Sequence, residues 1–253
     1  MQRLATGSKP GGLPYKWIVV IVVIFGSFMS ILDQTVINNA LPHLQRVFAV
    51  DLSSLQWVIT AYTLTQGVVT PTTAFFANRL GTRRFYVIAL ILFTLGSALC
   101  GLAWNLSALI VFRVIQAIGG ATLFPLAITL LFYEFPLHER GLATGILSIS
   151  ALMAPAVGPT LGGYLVTYAN WPLIFYINVP VGLVAIIMAL LLLRERPSQG
   201  RVDFDLPGFV LVASGLAAVL YALSIATISG WGTPSVLITL IGGLCLLGLF
   251  TAV

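Results

Sequence analysis

The chain has 253 residues and a formal net charge of +5, yet only 8% of its residues are charged while 59% are hydrophobic. Soluble globular domains carry about 25% charged residues, and the mean hydropathy here is +1.05. This composition excludes a soluble globular protein and predicts a polytopic membrane protein. The two cysteines, Cys100 and Cys245, lie in separate apolar segments without metal-ligand spacing, so we interpret them as small core side chains.

Eight apolar segments follow one another along the chain. Each is close to the ~20 residues that a helix needs to cross about 30 Å of hydrocarbon. Their hydrophobicity is continuous rather than alternating, which favours helices over the strands of a membrane barrel. The predicted fold class is therefore all-α and polytopic, with a six-helix bundle followed by two further transmembrane helices. The predicted spans are Trp17–Leu41, Leu55–Phe76, Phe85–Trp104, Leu106–Phe132, Leu142–Thr167, Leu173–Leu193, Pro207–Ile228 and Ser235–Val253.

The polar stretches between these segments predict the domain organisation. Residues 1–16 form a cytoplasmic tail, and the absence of a small-residue cleavage site after the first apolar segment indicates an uncleaved first helix. Residues 17–193 form a six-helix half, 194–206 a cytoplasmic linker, and 207–253 two additional transmembrane helices. Because the chain stops within an apolar segment, we expect it to be truncated before a second half.

The positions of lysine and arginine predict the orientation in the membrane. If the helices alternate in direction, ten basic residues fall on one side and only Arg46 falls on the other, with Arg113 inside a span. An excess of Lys and Arg marks the cytoplasmic side. We therefore expect a multi-pass protein of the cell (inner) membrane with a cytoplasmic amino terminus, and no nucleic-acid partner. The ten residues are Arg3, Lys9, Lys16, Arg79, Arg83, Arg84, Arg140, Arg194, Arg196 and Arg201.

Two opposite charges, Asp33 and Arg113, lie within predicted spans. Asp33 precedes the outer end of its helix, predicted at Pro42, by about nine residues, and Arg113 follows the start of its helix at Leu106 by about seven. At about 1.5 Å per residue both lie roughly 10–14 Å below the outer surface. They can pair or face a water-filled cavity, and intramembrane charges are commonly functional. The alternative is a static ion pair that only joins two helices.

Other polar side chains occur near the same depth. Gln34 follows Asp33, Gln116 lies one helical turn beyond Arg113, and Tyr62 lies on the second helix. Each could hydrogen-bond a substrate, a partner helix or water. For the amides, hydrogen bonding between helices is an equally good interpretation.

The fifth predicted helix contains the sequence SALMAPAVGPTLGGYL at residues 150–165. Small residues recur there every four positions, which allows another helix to approach closely. Two prolines in the same stretch remove backbone donors and bend the helix. Packing is one interpretation, and a contact that opens and closes during a conformational change is the other. The small residues are Ser150, Ala154, Gly158 and Gly162, and the prolines are Pro155 and Pro159.

Residues typical of catalysis do not form a recognisable pattern. His43 and His138 lie outside the predicted spans, and no HExxH, CxxC or phosphate-binding loop occurs. The sequence therefore predicts neither an enzyme nor a metal site, and it implies no cofactor.

Seven stretches form an ordered series: LDQTVINNALP (32–42), LQWVITAYTL (55–64), NRLGTRR (78–84), RVIQAIGG (113–120), GPTLGG (158–163), IFYINVPVG (174–182) and FDLPG (204–208). The series resembles the major facilitator superfamily, and specifically its fourteen-helix drug/proton antiporter branch. The corresponding motifs in that branch include LDxTIVNVALP, DRxGRR, RxxQGxG and GPxxGG. The matches run from about residue 17 to 232 and imply the amino-terminal six-helix bundle of that fold plus its two inserted helices.

The resemblance implies proton-coupled export of amphipathic drugs or other hydrophobic or cationic small molecules across the cytoplasmic membrane. Asp33 would be a protonatable or substrate-attracting carboxylate, and Arg113 would be its coupling partner. Residues Gly158, Pro159, Gly162 and Gly163 would shape the switching helix. The cytoplasmic loop motif would consist of Asn78, Arg79, Gly81, Arg83 and Arg84.

The chain also departs from these motifs. Asn78 replaces the acidic residue of the loop motif and therefore weakens it, and Ala117 replaces the glycine after the Gln of RxxQGxG. Transporters of this architecture place substrate between two six-helix halves, so a lone half cannot alternate access. The chain is then a fragment, a truncated gene product or one part of an assembly with a second chain. The functional alternatives are a non-transporting truncated protein or assembly partner, and a facilitator or symporter of another solute on the same fold.

Overall fold

The computed structural model describes residues 13–168, 170–195 and 204–251, with side chains throughout except at 227–229. Most of the predicted tail and linker therefore lies outside the described residues. Helices are expected here, because a lipid environment requires each backbone donor and acceptor to be satisfied within its own segment. The helices are α1 (Tyr15–Phe48), α2 (Leu52–Val69), α3 (Thr73–Leu80), α4 (Thr82–Gly101), α5 (Leu106–Glu134), α6 (Arg140–Tyr168), α7 (Leu173–Tyr176), α8 (Asn178–Leu192), α9 (Leu206–Ser229) and α10 (Pro234–Phe250).

Helix α1 is longer than predicted. Pro42 lies inside α1 and does not end it, because the helix continues to Phe48. It ends at Ala49, which adopts the left-handed conformation with φ 51° and whose N–H bonds the carbonyl of Gln45. A proline removes only one backbone donor, and the remaining turn is stabilised by packing of Leu44, which is fully buried.

Two predicted spans are interrupted in the structure. The prediction of one continuous span over Leu55–Phe76 is wrong, because a 3₁₀ turn at Thr70–Thr72, with Pro71 near its start, separates α2 from α3. The predicted span Leu173–Leu193 is divided at Ile177 into α7 and α8. In both places a proline, Pro71 or Pro180, lies at or just after the interruption and removes a backbone donor.

Within the described residues, six helical stretches are long and apolar enough to cross a membrane, rather than the eight predicted. Helix α10 is shorter and apolar. Helix α2 carries Gln56 and Gln66 together with several hydroxyl residues, which lower its hydrophobicity. The six stretches are Tyr15–Phe48, Thr82–Gly101, Leu106–Glu134, Leu137–Tyr168, Leu173–Leu192 and Leu206–Ala226.

The six-helix bundle is organised around α1, which contacts α2, α5, α6, α7 and α8. Its buried apolar residues form two clusters at different levels of the bundle. One cluster includes Met29, Phe93 and Ala117, and the other includes Leu32 and Leu109. Between these levels the same helices place buried polar side chains, so a polar layer separates two apolar cores. These side chains are Ser30, Asp33, Ser97, Arg113, Gln116 and Asn178.

Helices α9 and α10 pack against each other, and α9 packs against α2. The Thr60 and Ser224 hydroxyls are 2.7 Å apart across the α2–α9 contact. Nearby, the rings of Trp57 and Tyr221 have centroids 6.0 Å apart. The two additional helices are therefore attached to the outside of the bundle through α2.

Candidate functional site

Asp33 of α1 and Arg113 of α5 form an ion pair at the centre of the polar layer. Arg113 Nη1 donates to Asp33 Oδ2 at 2.5 Å, and the two side chains are only 0–1% exposed. Desolvation of two charges largely offsets their attraction, whereas loss of one partner from a buried pair costs about 3–5 kcal/mol. Each charge therefore depends on the other to remain in the bundle.

Two side-chain amides complete the shell around the carboxylate. Gln116 Nε2 and Asn178 Nδ2 each donate to Asp33 Oδ1 at 2.9 Å. Gln116 Oε1 also accepts from Arg113 Nη1 at 2.9 Å. Helices α1, α5 and α8 are thus joined by one hydrogen-bonded cluster, because each contributes a residue to it.

Aromatic rings enclose the guanidinium of Arg113. Its Cζ lies 4.0 Å from the ring centroid of Tyr62 on α2 and 5.9 Å from that of Phe175 on α7. A desolvated cation over an aromatic face gains about 2 kcal/mol. Tyr62 is itself 1% exposed, so it contacts the predicted charge pair instead of lining an open cavity.

Close helix packing positions Arg113 and Gln116. Gly96 of α4 lies directly against α5, where an added Cβ would come within 2.5 Å of the Gln116 Cα. Gly119 packs equally closely against the backbone of α4, at Phe93 and the carbonyl of Ala89. Small residues at a helix contact let the backbones approach, and here this approach holds α5 in the rotation that directs Arg113 toward Asp33.

Gln34 is a predicted site residue that the structure does not bring into this cluster. Its amide donates to the carbonyl of Ser30 in its own helix at 3.4 Å, and its side chain is partly exposed. Successive helical residues point about 100° apart, so Asp33 and Gln34 cannot both face Arg113.

The predicted switch residues of α6 lie on two different faces of the helix, one buried and one exposed. Gly158 packs on Thr35 of α1, and Gly162 packs on Val36. Ser150 and Ala154 are buried along the same stripe. By contrast, the switch residues Pro159 and Gly163 are exposed. The small-residue stripe is thus a contact with α1, and the second face is open in the described part of the chain.

The residues of the cytoplasmic loop motif connect α3, α4 and the end of α8. Gly81 links α3 to α4 with φ 88°, and Arg83 donates to the carbonyls of Ala189 and Leu190 at the end of α8. Arg84 Nε lies 3.3 Å from a Glu195 carboxylate oxygen.

The first two residues of the motif, Asn78 and Arg79, lie on α3. Arg79 lies over the Phe75 ring at 5.9 Å. Asn78 lines a cleft of about 290 Å³ beside Phe75, Phe204 and Phe209.

Sequence reasoning did not single out Asn178 or its neighbour Ser97. Asn178 Nδ2 donates to Ser97 Oγ at 3.1 Å, and Ser97 Oγ donates to the carbonyl of Phe175 at 2.9 Å. Both residues are at most 1% exposed. The available signal was a lone amide in the apolar sequence IFYINVPVG, two residues before a proline.

The arrangement can bind one proton at a carboxylate in exchange for an ion-pair contact. It contains a carboxylate, a cation and neutral donors, but no second acid and no activated nucleophile. Among the residues that the structure describes, no group of three or more His, Cys, Asp or Glu side chains could hold a metal ion.

Comparison with known proteins shows what the chain is similar to. Putative multidrug resistance protein MdtD of Serratia proteamaculans (strain 568) is 40% identical over 202 residues, which cover 80% of this chain and 42% of that protein. The riboflavin transporter RibZ of Clostridioides difficile (strain 630) is 37% identical over 213 residues, 83% of this chain and 46% of its own length. The chain thus spans less than half the length of these relatives.

The fold and the family agree. A solved structure of a D-xylose–proton symporter superimposes with a TM-score of 0.64 at 16% identity, over 91% of this chain and 66% of that one. This likeness concerns the fold alone. The family model described as Major Facilitator Superfamily matches residues 23–253. The chain therefore belongs to the major facilitator superfamily.

Proposed function

We propose that this chain is the amino-terminal half, with two inserted helices, of a fourteen-helix transporter that exports amphipathic or cationic hydrophobic molecules in exchange for protons. The observation that carries the proposal is the buried Asp33–Arg113 pair with Gln116. The relative named as a multidrug resistance protein supports the substrate class. In this proposal the amino terminus lies in the cytoplasm and the helices span the cell membrane, in line with the positions of Lys and Arg.

Protonation of Asp33 is the coupling step in this proposal. The carboxylate attracts Arg113 at close range, where an ion pair at 4 Å is worth about 4 kcal/mol for an effective dielectric constant of 20. A proton on Asp33 removes that attraction, so α1 and α5 can separate or turn. A cationic substrate that reaches the carboxylate would compete with the proton, which is the basis of exchange.

The remaining predicted residues are assigned to the conformational change. Gly158 and Gly162 hold α6 against α1, while Pro159 and Gly163 lie on an exposed face of α6. We assign that face to the contact with a second six-helix half or a second chain, which a substrate path between two halves requires. The loop motif, with Arg83 at the end of α8, would hold the cytoplasmic ends of the helices together.

The experiment measures export of a lipophilic cationic dye from cells that make the full-length gene product containing this chain. We expect dye efflux that a protonophore stops, and its loss in Asp33→Asn at unchanged membrane abundance. Asp51→Asn is the matched control, because Asp51 lies outside the helices as the cap of α2 and Asn preserves a capping oxygen. Unchanged uncoupler-sensitive efflux in Asp33→Asn would remove Asp33 from the mechanism.

A second candidate is transport of another solute on the same fold. It is favoured by the similarity to a relative named as a riboflavin transporter. A flux of riboflavin, or of another neutral solute, that persists with a protonophore would support a facilitator. No flux of any solute would support the non-transporting alternative.

A further inference from the structure

The two oxygens of Asp33 have different partners. Oδ1 accepts from Gln116 and Asn178, which are neutral amides, whereas Oδ2 accepts from the cation Arg113. The carboxylate is therefore held asymmetrically. This asymmetry is not implied by the charge pair itself, since a guanidinium can bind both oxygens of a carboxylate at once.

Asn178 is fixed independently of Asp33. Its amide also donates to Ser97 Oγ at 3.1 Å, and Ser97 Oγ donates in turn to the Phe175 carbonyl at 2.9 Å. Phe175 belongs to α7 and Asn178 is the first residue of α8, so this chain of bonds spans the break between the two helices. The break directs the amide of Asn178 to the level of Asp33, and α4 holds it there through Ser97.

We infer that Asn178 is a positioning residue that directs the transported proton to Oδ2 of Asp33 and keeps the carboxyl group in place in both protonation states. This inference rests on the proposed proton-coupled function. Oδ1 already accepts two N–H groups, and it can continue to accept them as the carbonyl oxygen of a protonated carboxyl. Among the residues that the structure describes, the donor that Oδ2 can lose is Arg113.

The proton step then changes one contact only. An Oδ2–H bond forms, the hydrogen bond from Arg113 Nη1 to Oδ2 breaks, and Arg113 keeps its own proton. The net charge of the pair rises from zero to +1. Two donors, Oδ2–H and Nη1–H, now face each other, so Arg113 is released from Asp33, while Gln116 of α5 keeps its bond to Oδ1. Asp33 stays joined to α8 through Asn178, so α1 and α8 remain connected.

The surroundings of Asp33 contain few other titratable groups. Arg113 faces it from α5, Tyr62 from α2 and Cys100 from α4. From α8 the contact is the neutral Asn178, and from α6 the glycines pack on the neighbouring Thr35 and Val36. Tyr62 and Cys100 are neutral at ordinary pH, so protonation in this layer is assigned to Asp33.

The test is infrared difference spectroscopy of the purified, membrane-reconstituted protein over a range of pH. Asp33→Asn identifies the C=O band of the protonated Asp33. Asn178→Leu has a similar shape without a donor, and Ser97→Ala removes only the anchor of Asn178. Asn39→Leu is the matched control, because Asn39 is exposed and donates to the Thr35 carbonyl of its own helix.

In Asn178→Leu we expect the C=O band of protonated Asp33 at higher wavenumber, because its carbonyl oxygen accepts one hydrogen bond fewer. We also expect its titration midpoint to rise by about one pH unit, a tenfold change in proton affinity, because one donor to the anion is lost. Ser97→Ala should shift the band and the midpoint in the same directions as Asn178→Leu, but by smaller amounts. Asn39→Leu should change neither the band nor the midpoint.

An unchanged band and midpoint in Asn178→Leu would overturn the inference, as would a wild-type protein in which Asp33 never protonates. If Asn178→Leu does not fold, Ser97→Ala decides the question alone, because it deletes a single oxygen. The readout is the titration of Asp33 and not flux. The expected band shifts in the variants, together with no efflux by the wild type, would refute the proposed export and leave the role of Asn178 standing.

Discussion

Gly158→Ala tests the contact between α6 and α1. A Cβ at this position would lie 2.6 Å from Thr35 Cγ2 and 2.7 Å from Thr35 Cβ. Ordinary carbon–carbon contacts are about 3.5–4.0 Å. Rotation of the side chain could move Cγ2, but Thr35 Cβ is fixed to the backbone. The two helices must therefore separate by about 1 Å at this point, given the contact distances above.

The matched control is Gly163→Ala in the same GPTLGG motif, because nothing lies within 4 Å of an added Cβ there. Both substitutions gain up to about 1 kcal/mol of helix propensity. Overpacking costs about 1–3 kcal/mol, so Gly158→Ala should be less stable than Gly163→Ala by about that amount. Equilibrium unfolding of the purified protein in mixed detergent micelles, with increasing dodecyl sulfate, measures the free energy of unfolding.

A double-mutant cycle with Thr35→Gly separates this contact from other effects. Thr35→Gly alone loses the hydrogen bond from Oγ1 to the Ile31 carbonyl and is destabilising. In the Gly158→Ala background it also removes the clash, so its cost should be smaller. Equal stability of Gly158→Ala and Gly163→Ala, together with a coupling energy near zero, would refute the packing of α6 on α1 described above.

Two further predictions concern the loops. Gly81 has φ 88°, so Gly81→Ala should lose about 1–3 kcal/mol of unfolding free energy; the helical control Gly141→Ala, with open space around it, should not. The hydroxyls of Ser53 and Ser54 and the Ser54 N–H hold the pKa of Asp51 well below its usual range, so its contribution to stability is full above about pH 4 and declines as the pH falls below that value. Asp51→Ala should lower the melting temperature at neutral pH, and a difference from wild type that did not shrink in acid would contradict this.

The sequence predicted Asp33 and Arg113 as site residues but did not predict Asn178. One physical difference explains both outcomes. A charge within an apolar segment is costly enough to demand a partner, so the two charges can be recognised without coordinates. A neutral amide costs far less to bury and often bonds its own helix or a neighbouring one. Gln34 and Gln116 have the same side chain and were predicted near the same depth. Gln116 donates to Asp33, whereas Gln34 donates to a carbonyl of its own helix. Helical rotation decides between them.

The sequence motifs likewise predict local backbone conformation but not contacts between distant residues. Gly81 has the positive φ that its position at a turn between helices suggests. The acceptor of Arg83, the Leu190 carbonyl, is 107 residues away along the chain, and no local pattern points to it. The sequence also did not predict the extension of α1 beyond Pro42, because tertiary packing of Leu44 compensates for the missing backbone donor.

The sequence by itself determined that this is an all-α membrane protein and that it carries two opposite charges within its helices. These properties depend on hydrophobicity and on backbone hydrogen bonds that each segment satisfies alone. Only the tertiary structure decided that Arg113 meets Oδ2, that two amides meet Oδ1, and which face of GPTLGG packs on α1. Such contacts join residues 80 to 145 positions apart, and they depend on how each helix is rotated and tilted against its neighbours.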